Sequence, residues 1–261
     1  MTGLEAFILG IVQGLTEFLP VSSSGHLVIF QELLGLKGDG GLVFEVAVHV
    51  ATLVAIVVVY RSRMGELIGG VVAGDKEAWN YTLKLVVATL PAVAVALLAR
   101  NGVEEAAANP VVAGTGLLVT AVILWTTRST LPKATAEVPS WGAAAIIGCA
   151  QAFAILPGIS RSGTTVAVAL ALGIAPAAAA EFSFMMGSIA IAGAAVLILP
   201  DMAGGVNGGI GPILIGGIAA LLAGVSAIKF FLRLLEKSNF YAFSYYLIPT
   251  GILFLAYVQF A

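Results

Sequence analysis

Residues 10–27 (GIVQGLTEFLPVSSSGHL) and 148–165 (GCAQAFAILPGISRSGTT) are two versions of one pattern, an apolar run that breaks into proline, glycine and serine and then resumes. The register is constant at 138 positions: Gly10 matches Gly148, Gln13 matches Gln151, Ser22 and Ser24 match Ser160 and Ser162, and Gly25, Leu34 and Gly35 match Gly163, Leu172 and Gly173. Any fold for this chain must therefore accommodate the same broken helix twice. It must do so in lipid, because 60% of the residues are hydrophobic, 10% are charged and the mean hydropathy is +1.06, values that belong to integral membrane proteins. Polar islands at membrane depth are costly, and by default they mark function.

The same numbers exclude several classes. With a net charge of -2 and its few Lys and Arg residues scattered over loops, the chain has no basic face for nucleic acid. Its single cysteine, Cys149, rules out an internal disulfide and a cysteine-based metal cage, and reads as a small packing residue. The N-terminus lacks a basic n-region and a small-residue cleavage site, and Glu5, Gln13 and Glu17 interrupt its apolar run, so it does not read as a removable signal peptide.

A spanning helix needs about 20 apolar residues, and six segments come close: 42–60, 81–99, 110–127, 182–199, 211–235 and 242–260. The islands differ. Each is cut into a longer arm (4–19 and 141–156) and a shorter one (26–34 and 163–172), and at about 1.5 Å per residue the shorter arm crosses only about half the hydrocarbon. Each island is expected to form a re-entrant helical hairpin. Irregular backbone in the bilayer is tolerated only where protein or a wet cavity surrounds it, so the two tips should meet. The fold expected is all-α and polytopic, with six full transmembrane helices and two re-entrant hairpins. It forms one membrane domain over 1–261, made of repeat one (1–128), a connection (129–140) and repeat two (141–261). Three crossings per repeat turn the second copy upside down, the inverted-topology arrangement.

Arg61, Arg63, Lys76, Lys84, Arg128, Lys133, Lys229, Arg233 and Lys237 fall on one side of this topology, and Lys37 and Arg100 on the other. The positive-inside rule makes the first side cytoplasmic. Both termini and the mouth of the first hairpin then face outward. Trp79, Trp125 and Trp141 lie near span ends, where indoles anchor at the interface.

Gln13 and Glu17 are one helical turn apart and lead into Pro20, Ser22, Ser23, Ser24 and His26. The spacing of Ser23 and His26 lets a hydroxyl meet a base. The second island supplies Ser160, Arg161, Ser162, Gly163, Thr164 and Thr165 at the start of a helix. Free N–H groups there, with hydroxyls and a guanidinium, suit a phosphate; an Arg161–Glu17 pair is the plainer use of the same charges. Glu45 and His49, four apart on the first full crossing, extend the polar pocket or make an interhelical bond. Glu181 stands near the repeat counterpart of Glu45, which suggests one symmetric framework.

QGLTEFLPVSSSGH at 13–26 and PGISRSGTT at 157–165, with weaker support from FEV at 44–46 and EFSF at 181–184, resemble the undecaprenyl pyrophosphate phosphatase family, the bacitracin-resistance type of membrane phosphatase, and the match runs nearly end to end. The resemblance implies hydrolysis of a polyprenyl diphosphate to the monophosphate in the plasma membrane. That reaction recycles the lipid carrier for cell-wall glycan synthesis, at a pocket open to the outer face and with a divalent cation, Mg2+ or Ca2+. Carried over by position, Glu17 is the acidic residue near metal or phosphates, Ser23 the nucleophile, His26 the catalytic histidine and Arg161 the phosphate clamp. Gln13, Ser22, Ser24, Ser160, Ser162, Gly163, Thr164 and Thr165 are substrate-binding candidates. Many members have a glutamate where this chain has Gln13, so Glu17 and Gln13 make a thin metal site and the ion is expected to arrive with the diphosphate. The nucleophile is Ser23 with His26 as base, His26 itself, or a water that His26 activates.

Two other readings compete. A polyprenyl-phosphate flippase or transporter would use the same midplane anion site, since inverted repeats with broken helices are a transport architecture, but a carrier needs no serine and histidine beside it. A structural or receptor subunit gives no reason to hold Glu17, His26 and Arg161 at membrane depth. The partners expected are the lipid diphosphate and the bilayer, with a homodimer kept open and no nucleic acid.

Overall fold

A computed structural model describes residues 1–36, 42–130, 133–198, 209–236 and 239–260. Their elements are α1 (Gly3–Phe18), α2 (Ser23–Leu33), α3 (Leu42–Val72), α4 (Lys76–Leu98), α5 (Arg100–Ala107), α6 (Pro110–Thr130), α7 (Trp141–Phe153), α8 (Arg161–Ala171), α9 (Pro176–Ile198), α10 (Ile210–Glu236) and α11 (Phe243–Phe260). The all-α expectation is borne out, and the described residues contain no strand beyond one isolated bridge between Ala136 and Ile174. Six helices are long and apolar enough to cross a membrane: Val43–Val72, Lys76–Leu98, Pro110–Thr130, Pro176–Leu197, Ile210–Leu235 and Phe240–Phe260. Large apolar side chains such as Val122, Leu214 and Leu253 stand exposed on their outer faces, as lipid-facing helices require.

Helix starts follow from their caps. Thr2 and Glu5 form a reciprocal capping box on α1, and the Ser140 hydroxyl accepts from the Ala143 N–H to open α7. Two features lie beyond the spans read from hydropathy. The helix containing the first crossing runs on to Val72, but it kinks at Tyr60 (φ −100°, ψ 18°), where the apolar run ends and Arg61 begins. The polar stretch after Leu98 forms a short helix, α5, with no buried residue. Lys37 and Lys237, two of the charges used for orientation, and Pro132 of the connection lie outside the described residues.

The repeats pack as interlocked halves. α1 of the first packs on α10 of the second, and α7 of the second packs on α4 of the first, so each leading arm lies on the other repeat's second long helix. Matching glycines make both approaches possible. A methyl at Gly10 would collide with the backbone of Gly216, and one at Gly148 with the backbone of Ala88. Close approach through small residues is how membrane helices gain packing energy when lipid tails are as apolar as their side chains. One continuous core runs through Phe18, Ile56, Leu117, Ile147, Phe184 and Phe231, drawing on both repeats.

Candidate active site

The first break follows from Pro20, whose missing N–H and restrictive ring stop α1 at Phe18. The chain re-enters α2 through Ser22, held at φ 71°, a left-handed region that costs a non-glycine residue about 1–3 kcal/mol and clusters at functional sites. Its hydroxyl accepts from the Gly25 N–H (3.3 Å). The second break matches it: Gly158 takes φ 83°, and the Ser160 hydroxyl accepts from the Gly163 N–H (3.0 Å). Thr120 of α6 clamps this tip, donating to the Gly158 carbonyl (2.9 Å) and accepting from the Ser160 N–H (2.9 Å).

The tips touch. The Gly158 N–H donates to Ser24 Oγ (3.3 Å) and Ser162 Oγ donates to the Leu19 carbonyl (3.4 Å). At their junction Arg161 Nη2 donates to Glu17 Oε1 (2.8 Å), while Ser23 Oγ (2.6 Å) and Gln13 Nε2 (3.1 Å) donate to Glu17 Oε2. Glu17 and Arg161 are 7% and 16% exposed, so each needs the other: removing one partner of a buried pair costs about 3–5 kcal/mol. The carboxylate joins an alcohol from one repeat to a guanidinium from the other.

Glu17, Ser23 and Arg161 line one side of a cavity of about 400 Å³, while Gln13 is buried behind Glu17 and is not part of its wall. Ser22, Ser24 and Ser160 share that wall, Glu45 and His49 face it from α3, and Ala190 to Ala195 of α9 make the apolar side. His49 Nδ1 donates to the Glu45 carbonyl (2.7 Å), which leaves Nε2 for the cavity. The Glu45 carboxylate accepts from Gln31 Nε2 (2.9 Å). Glu181 takes a separate place, accepting from Arg63 Nε (2.9 Å) and Tyr81 (3.1 Å).

His26 does not line the cavity, and the Ser23–His26 contact that their spacing permits is not made. Its Nδ1 lies 2.8 Å from the Ser22 carbonyl, and its Nε2 lies 2.7 Å from the Tyr246 hydroxyl. A carbonyl can only accept, so Nδ1 carries the proton and Nε2 of the neutral ring accepts from Tyr246. Among the other candidates, Thr165 donates to the Arg161 carbonyl (2.7 Å) and bonds Ser183 Oγ (2.6 Å), and the Thr164 hydroxyl is buried without a partner.

Thr120, Tyr246 and Gly187 are the residues that motif reading missed. Thr120 and Tyr246 bind sites far away in sequence, and nothing local marks them. Gly187 carried a signal, since it sits at the repeat counterpart of His49. A Cβ there would overlap the Arg161 guanidinium, so the missing side chain is the space into which the arginine extends.

The family model of the bacitracin resistance protein BacA matches residues 6–253. Relatives named undecaprenyl-diphosphatase include those of Desulfatibacillum aliphaticivorans (35% identical, covering 94% of this chain and 95% of the relative) and Carboxydothermus hydrogenoformans (37%, covering 98% and 97%). A third, from Rhodopirellula baltica, is 38% identical over 96% of each chain. On a match that takes in both tips and runs from α1 into α11, this chain belongs to the BacA family.

Proposed function

We propose that this protein is a membrane phosphatase that hydrolyses undecaprenyl diphosphate to the monophosphate and inorganic phosphate, returning the lipid carrier to use. The observation that carries this reading is the Ser23–Glu17–Arg161 chain at 2.6 and 2.8 Å on the wall of a cavity inside a lipid-embedded fold. The names of the relatives support it; the transport reading has no such support.

Ser23 Oγ attacks the terminal phosphorus as its proton passes to Glu17 Oε2. The bond to the bridging oxygen breaks, and the lipid monophosphate leaves with the electron pair and the proton that Glu17 returns. Water then attacks the phosphoserine, Glu17 takes the water's proton and hands it to Ser23 Oγ, and phosphate is released. Arg161 faces the negative charge that spreads over the phosphoryl oxygens, where positioning and electrostatics supply most of the rate. His26, tied to the Ser22 carbonyl and Tyr246, holds the strained turn that aims Ser23.

The donor set fits a hard divalent ion, Mg2+ or Ca2+. Gln13 Oε1 is buried without a partner beside Glu17, and among the described residues no three His, Cys, Asp or Glu side chains converge. Such a site suits an ion held by one carboxylate, one amide oxygen and the substrate phosphates. Bound there, the ion would neutralise phosphate charge. In the membrane the two broken pairs, α1–α2 and α7–α8, are re-entrant in this reading, with the Arg61 and Arg63 side in the cytoplasm and the cavity open to the outer face.

The test is phosphate release from undecaprenyl diphosphate by the purified protein, with Ser23→Ala and Arg161→Ala alongside. Turnover by the parent that falls by about 10²-fold or more in both variants is expected. Parent-like turnover in Ser23→Ala, or a covalent phosphate trapped on His26, would remove the serine from the mechanism.

A further inference from the structure

Between the outward-facing parts of α3, α9 and α10 lies a second cavity of about 480 Å³ whose lining residues are all apolar, among them Val50, Val54, Leu214, Gly217 and Ile218. It shares two wall residues, Val46 and Ala195, with the cavity that holds Ser23 and Arg161. Val50, Val54, Leu214 and Ile218 are exposed, so the groove opens sideways into lipid. We infer that it is the subsite for the prenyl tail of the diphosphate, carrying the first isoprene units from the phosphates to the bilayer; this rests on the phosphatase reading above.

The continuity identifies the occupant. A diphosphate seated at Arg161 must send its tail out through a wall of the reaction cavity. The α9 wall is alanine at 190, 194 and 195, small enough to let a chain pass, and it leads straight into the groove. From Val46 to Val54 the groove runs along about 12 Å of α3, room for about two or three isoprene units at about 5 Å each. The rest of a longer tail lies in ordinary lipid, so recognition should rise over the first few units and then level off. Gly217 keeps the groove open: a Cβ there meets only Ala51 Cβ, at 4.0 Å, so a larger side chain fits the fold but fills the channel.

The experiment compares kcat/KM for farnesyl diphosphate with that for isopentenyl diphosphate, in the parent and in Gly217→Leu, Ala195→Phe and the control Leu222→Phe, which lies on α10 outside both cavities. The parent is expected to favour farnesyl diphosphate. In the two groove-filling variants that preference should fall about tenfold or more, while the control keeps it. A benzophenone-tailed diphosphate should also label α3, α9 or α10 peptides of the parent, and undecaprenyl diphosphate should compete. An unchanged preference in both filled variants, or labelling confined to other helices, overturns the groove and leaves the phosphatase standing. A parent that cleaves no lipid diphosphate overturns the phosphatase reading itself.

Discussion

Gly187→Ala tests whether the position of Arg161 sets the rate of the site. In an exposed helix interior this substitution is stabilising by about 1 kcal/mol, because alanine restricts the unfolded chain. Here the added methyl lands on the Arg161 guanidinium. The arginine head is the flexible partner and has to move, which strips it from Glu17 Oε1 (2.8 Å) and from the Ser183 carbonyl (3.4 Å). If the guanidinium serves the transition state, its displacement should cost about 10²- to 10³-fold in kcat, the usual penalty for losing one preorganised donor. Gly193→Ala, on the same helix with nothing within 4 Å of its new Cβ, is the control. The assay is phosphate release from a lipid diphosphate in detergent or nanodiscs, with the thermal midpoint measured on the same samples. The expected result is a crippled Gly187→Ala enzyme that also melts earlier than Gly193→Ala, because the buried Glu17 carboxylate loses its partner. A Gly187→Ala protein within twofold of the parent rate would refute the reasoning, because the arginine could then leave its observed position at no cost.

Four further outcomes are expected. Gly10→Ala and Gly148→Ala should each destabilise by about 1–3 kcal/mol through overpacking against backbone, read as matching losses in thermal midpoint; a neutral pair would mean that the helices separate freely. Tyr246→Phe should lower stability by about 1 kcal/mol by leaving His26 Nε2 without its donor, and should reduce kcat less than Ser23→Ala does; an equal loss would give His26 a part in the chemistry. Glu17→Gln should bring the rate down to that of Ser23→Ala, and the double variant should fall no further, since the two act as one unit. Chelation should suppress turnover without shifting the thermal midpoint of the substrate-free protein, whereas a large shift would show an ion built into the fold.

The six crossings and both breaks were legible because each rests on local chemistry: apolar length, a proline that stops α1, serines that cap α2 and α8. Glu17, Ser23 and Arg161 were legible as a group because duplication predicted that the tips would meet. The position of His26 was not. Its spacing from Ser23 allowed a bond, but the hydroxyl found a carboxylate six residues back across the break and the imidazole found Tyr246, 220 positions later. Long-range partners of this kind leave no local trace. The continuation of α3 beyond Tyr60 escaped for another reason: hydropathy reports where lipid ends, and a helix can carry on into water.

The interlock of α1 with α10 and of α7 with α4 constrains how the protein is made. A ribosome delivers the first tip long before its neighbours exist. Until residues near 158, 161 and 246 have been inserted, the Ser24 hydroxyl, the Glu17 carboxylate and the His26 ring lack the partners they have at the end. The first tip therefore needs shelter from hydrocarbon until the later helices arrive, and the first half expressed alone lacks the residues that complete these bonds.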